Sequence, residues 1–92
     1  MKLISQVSEV HEFIDEYRAQ KNTIGLVPTM GFLHEGHISL MQRAANENDK
    51  TIVTIFVNPL QFAEGEDLSS YPQNLEKDIN ECEAIGVDLL FI

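Results

Sequence analysis

The run from Thr51 to Val57 reads TIVTIFV, β-branched or apolar at every position and apolar on both faces of any strand it forms. A strand of that composition has to be covered on both sides, which is the situation of a strand inside a parallel sheet packed between helices. The segments around it alternate in period. Val7, Val10, Ile14 and Tyr17 recur at helical spacing and predict a helix over Gln6–Ala19, with Ser5 as its N-cap. Ile24–Val27 predicts a short buried strand ended by Pro28. Ile38, Met41, Ala44 and Ala45 form the buried stripe of a second helix that gives out near Asn48. Leu75, Ile79, Cys82 and Ile85 mark a third helix, with Gly86 at its C-terminal cap, and Asp88–Ile92 reads as a further strand with an unpaired edge open to self-association. The order α-β-α-β-α-β predicts an α/β fold with a parallel sheet and right-handed crossovers.

One geometric consequence follows for function. In a parallel sheet the loops leaving the carboxyl ends of the strands emerge on one edge, where open α/β sheets bind ligands. The loops at 29–36 and 58–72 both leave strands in this way, so they are expected to face one crevice. The first carries PTMGFLHEGH, from Pro28 to His37, with His34 and His37 three residues apart around Glu35 and Gly36. Two readings stand. In the first, the imidazoles and the unpaired N–H groups of the helix N-terminus hold a phosphate, Gly31 permits the turn, and Gly36 lets a nucleotide approach the backbone. In the second, the pair only caps a helix in solvent. A zinc site is disfavoured, because the spacing is three rather than four and no second ligand cluster supplies the third ligand.

Composition narrows the partners. The chain has 92 residues, enough for one domain, and a formal charge of −9 from 15 acids and 6 bases. That balance excludes nucleic acid or an anionic membrane as the main partner, since both require a positive face. It also means that a bound phosphate must be held by local donors rather than by the global field. The single cysteine, Cys82, permits no internal disulfide and suits a cytoplasmic protein. Acidic residues interrupt any apolar leader after Met1, and no stretch reaches the ~20 apolar residues of a membrane span. His11 reads as a solvated helix residue, Cys82 as core, and the acids between Glu64 and Asp67 as solvated loop.

In order and spacing, LVPTMGFLHEGH, IFVNPLQF, YPQNLEKD and GVDLLF resemble the pantothenate synthetase family, within the nucleotidyl-transferase superfamily that carries an H-x-G-H signature. The resemblance covers nearly the whole chain. It implies a three-layer Rossmann-like sheet, here the amino-terminal part of the family's nucleotide-binding domain, with the remainder of the enzyme absent and catalysis by this piece alone incomplete. The family condenses pantoate with β-alanine at the expense of ATP, assisted by Mg2+, through a pantoyl adenylate, releasing pyrophosphate and AMP. Members are cytoplasmic homodimers.

By that resemblance Met30, Gly31, Phe32, Leu33, His34, Glu35, Gly36 and His37 bind ATP, and His34 and His37 are catalytic, with His37 in the position of the proton donor. Gln61, Pro28, Thr29, Met30 and Phe62 line the pantoate and β-alanine pocket. Phe62 reads equally well as a loop anchor in the core. Phe32 stands where many relatives have a smaller residue, and Gln73 where many have arginine. Two other functions compete with the ligase: a nucleotidylyltransferase that stops at nucleotide transfer, and a nucleotide-binding module without catalysis.

Overall fold

A computed structural model describes residues 1–57 and 73–92. Four strands and three helices alternate along the chain: β1 (Lys2–Ile4), α1 (Val7–Ala19), β2 (Ile24–Thr29), α2 (Glu35–Glu47), β3 (Lys50–Ile55), α3 (Leu75–Ile85) and β4 (Leu89–Phe91). All strand pairs are parallel, in the order β1-β4-β3-β2. The α/β class and the parallel sheet are as the sequence predicts.

The sheet is covered on both faces because its side chains alternate. On one face Val27, Val53 and Leu90 join Met41 of α2, Cys82 of α3, and Leu33 and Val87. On the other, Ile4, Ile52 and Leu89 pack with Phe13 of α1, and Val10, Ile14 and Tyr17 complete the contact. Val53 and Leu90 are fully buried on the α2–α3 face, Ile52 and Leu89 on the α1 face. This explains the uninterrupted apolar run in β3. Lys50 opens β3 at the surface, its ammonium 4.6 Å above the Tyr17 ring.

Four sequence expectations are corrected. First, β2 is not ended by Pro28 but runs to Thr29. Lys50 N donates to Thr23 O and Phe56 N to Thr29 O, so the odd-numbered residues of β2 face β3. The Pro28 nitrogen therefore lies on the side away from β3, where no ladder bond among the described residues needs its missing N–H. Second, Ser5 does not cap α1: Gln6 holds the cap position and makes no side-chain bond to the helix. Third, β1 precedes α1, which the apolar pattern of three residues is too short to reveal. Fourth, the strand near the C-terminus is not an edge, because β4 lies between β1 and β3. Gly86 does cap α3, at φ 92° in the left-handed region, with its N–H donating to Cys82 O and Glu83 O.

Candidate active site

The turn between β2 and α2 is built by three side chains. Thr29 Oγ1 donates to Thr54 O at 2.9 Å and accepts from Gly31 N at 3.1 Å, which fastens the end of β2 to β3 and starts the turn. Gly31 and Phe32 then both take positive φ, 83° and 51°. At Gly31 a side chain is doubly excluded: a Cβ would stand 3.0 Å from Ile55 Cγ2 and 3.2 Å from Asp78 Oδ2. Asp78, on α3, closes the turn. Its Oδ2 accepts from Phe32 N and its Oδ1 from Leu33 N, both at 2.8 Å. Lys77 Nζ donates to Leu33 O at 3.1 Å.

The turn delivers the two histidines to the start of α2. His34 is the N-cap, and its Nδ1 accepts from Gly36 N at 3.1 Å. His37 reaches back, and its Nδ1 accepts from His34 N at 3.2 Å. This is a capping box in which imidazoles replace the usual hydroxyl and carboxylate. The rings lie 4.1 Å apart between centroids. Because each Nδ1 accepts a backbone N–H, the neutral rings carry their protons on Nε2. Two N–H donors thus point away from the backbone beside the positive end of the helix dipole. Burial lowers the proton affinity of His37 below the ordinary histidine value, and neighbouring His34 lowers it further, against a smaller opposing pull from Asp78. Gly36 has a local role: a Cβ there would meet His34 Cε1 at 3.0 Å. The glycine makes room for the capping ring.

The expected site residues divide accordingly. Met30, Gly31 and Phe32 line a cleft of about 160 Å³ with Ile55, Asn74 and Asp78, at the carboxyl ends of the strands. Phe32 is 48% exposed. His34, Glu35, Gly36 and His37 form the first turn of α2 and its cap. Leu33 is buried in the core, and its N–H and carbonyl are taken by Asp78 and Lys77. Thr29 is also buried, with its hydroxyl occupied by protein partners. Pro28 is exposed and lines a different groove, with Gly25, Leu40 and Arg43. Gln61 and Phe62 lie outside the described residues, as does the 58–72 loop expected to share the crevice.

Sequence reasoning missed Asp78, Lys77 and Asn74. Asp78 left a readable signal, since it sits on the apolar stripe of α3, three residues after Leu75 and four before Cys82. An acid on a buried stripe requires internal partners. Asn74 caps α3 by accepting from Lys77 N at 3.2 Å.

The sequence model of the pantoate-beta-alanine ligase family matches residues 2–92. The chain is 50% identical to a pantothenate synthetase from Clostridium novyi and 48% identical to one from Bacillus velezensis, in each case over 99% of this chain and 32% of the relative. It therefore spans about a third of the length of the curated relatives it matches. A crystal structure of the Francisella tularensis pantoate-beta-alanine ligase, complexed with beta-gamma ATP and beta-alanine, superposes with a TM-score of 0.88 at 44% identity, over 99% of this chain and 34% of that one. The pantothenate synthetase of Thermus thermophilus gives 0.79 at 44% identity, over 99% and 31%. The fold is accordingly the nucleotidyltransferase-type Rossmann fold. With nearly every residue inside the family match and the H-x-G-H pair seated at a helix N-terminus on the ligand edge of a parallel sheet, this chain belongs to the pantoate-beta-alanine ligase family.

Proposed function

We propose that the chain supplies the nucleotide-binding part of an ATP-dependent ligation of pantoate to β-alanine. The observation that carries this is the pair of Nε2–H donors held beside the N-terminus of α2 by Nδ1-to-backbone bonds. Such an array suits the α-phosphate, where negative charge grows as the pantoate carboxylate attacks and pyrophosphate leaves. Donors already fixed at that place stabilise the transition state without reorganising. The β-alanine amine then displaces AMP from the acyl adenylate.

His37 acts in its neutral form as a donor from Nε2. Its Nδ1 is held by His34 N, so taking up a second proton would break the cap. A phosphate oxygen can accept from Nε2 while the bond at Nδ1 stays in place. The cleft beside Met30 and Phe32 would receive the geminal methyls of pantoate, with the Gln61 amide on its carboxylate or hydroxyl and Phe62 against its apolar side. Glu35 in the first turn and the overall charge of −9 oppose a polyanion. Magnesium offsets part of this. On this reading the metal would sit on the phosphate oxygens. On the same reading the whole enzyme would be a cytoplasmic homodimer. Among the described residues Lys77 is the cation bonded to the turn.

Product analysis tests the reading. With Mg-ATP, pantoate and β-alanine, AMP release that requires both acids supports it. A stable nucleotidyl product, or ATP bound with no response to pantoate, contradicts it.

A further inference from the structure

We propose that Asp78 is the positioning residue of this site: from α3, its carboxylate imposes the left-handed turn at Gly31–Phe32 and thereby fixes where α2 begins and where both imidazoles present Nε2.

Four observations carry this. Asp78 is 2% exposed, yet both its oxygens are spent on consecutive backbone N–H groups of a segment 45 and 46 positions away, each at 2.8 Å. A carboxylate in that position is an acceptor pair set by α3, and the turn has to come to it. Phe32 has φ 51° and no glycine-like freedom to adopt it, and its half-exposed ring gives little packing in return. The conformation is therefore imposed from outside, and the Phe32 N–H on Asp78 is the contact that does so. The closeness of Oδ2 to Gly31 also requires the missing side chain there, since a Cβ would stand 3.2 Å from that oxygen. Finally, Lys77 Nζ takes the Leu33 carbonyl while Asp78 Oδ1 takes the Leu33 N–H, so one turn of α3 grips both polar groups of the residue before the His34 cap. The next N–H in the chain, that of His34, is the one bonded by His37 Nδ1. The position of the turn passes to the histidine pair through one residue.

Asp78 touches no reacting atom in this account. Its consequence for ATP rests on the function proposed above, whereas its action on the turn does not. The test uses the unaltered chain and the Asp78→Asn and Asp78→Ala variants, followed by NMR. In the unaltered chain the amides of Phe32 and Leu33 exchange as slowly as those of the middle of α3. Exchange as fast as in an exposed turn overturns the proposal with no variant needed. Asp78→Asn keeps one acceptor oxygen, so it is expected to fold where Asp78→Ala fails. In it, the amides of Phe32, Leu33, His34 and Gly36 exchange at least tenfold faster while those of Ile52 and Val53 do not change. The His37 imidazole nitrogens move from a single Nε2–H tautomer to a mixture, and Mg-ATP affinity falls tenfold or more. Unchanged tautomers, or a uniform rise in exchange across β3 as well as the turn, reduce Asp78 to a general stability contact and overturn the proposal. If the unaltered chain binds no Mg-ATP, the nucleotide reading falls, and the exchange and tautomer data still decide the role of Asp78.

Discussion

At Gly36 two effects of opposite sign compete. Replacing glycine by alanine near a helix start ordinarily stabilises by up to about 1 kcal/mol. Here the new methyl would press on His34 Cε1 at 3.0 Å and push the ring off its cap. Loss of an N-cap costs about 1–2 kcal/mol. Gly36→Ala is therefore expected to lower stability by about 1 kcal/mol in denaturant unfolding, and a variant more stable than the parent would contradict the capping role. His37 gives a second prediction at this scale. An unfolded histidine takes up its proton near pH 6.5, while burial and His34 make folded His37 take it up at lower pH. Between those values the unfolded chain binds more protons, so stability rises with pH through the window and is lost as pH falls. Acidification from about pH 7.5 to 5.5 should therefore shift the unfolding midpoint of the parent downwards by more than that of His37→Gln. Equal shifts would show that the imidazole is not held neutral by its surroundings.

Helices α2 and α3 are fastened differently, and single substitutions separate the two. Met41 is fully buried at the centre of the α2 contact with the sheet, so Met41→Ala leaves a cavity and costs about 2–5 kcal/mol. Asn74→Ala removes only a cap bond and costs about 1 kcal/mol. Chemical denaturation of both variants checks that order, and a larger loss at Asn74 would contradict it. Elements of this kind were legible in the sequence wherever a periodic stripe ran for three turns, as in all three helices, or where an apolar run stood between breakers, as in β3. They were not legible where the chain departs from local rules. β1 is too short to show a period. Pro28 reads as a strand end because the sequence does not tell which side of a strand its nitrogen will face. Ser5 is a good capping residue one position too early, since Gln6 holds the cap position.

For the molecule as a whole, the parallel order β1-β4-β3-β2 places the ends of β2 and β3 on one edge, as the alternation of elements implied. The 30–37 part of the site was legible as a motif with two readings; the structure shows the Nδ1 atoms capping the helix, and the proposed phosphate role falls to the Nε2 atoms. Its support from Asp78 was harder to see, because that residue lies 45 positions away and meets the turn only through the fold. The net charge of −9 places the burden of holding a polyanion on a few local donors. The most direct test is a titration of the chain with Mg-ATP followed by the Gly36 amide and the Nε2 signals of His34 and His37. These three respond together and saturate at one concentration, and His37 keeps its Nε2–H tautomer on binding, if the helix start is the phosphate site. Shifts confined to other parts of the sheet edge, with both imidazoles unmoved at saturating nucleotide, would contradict it.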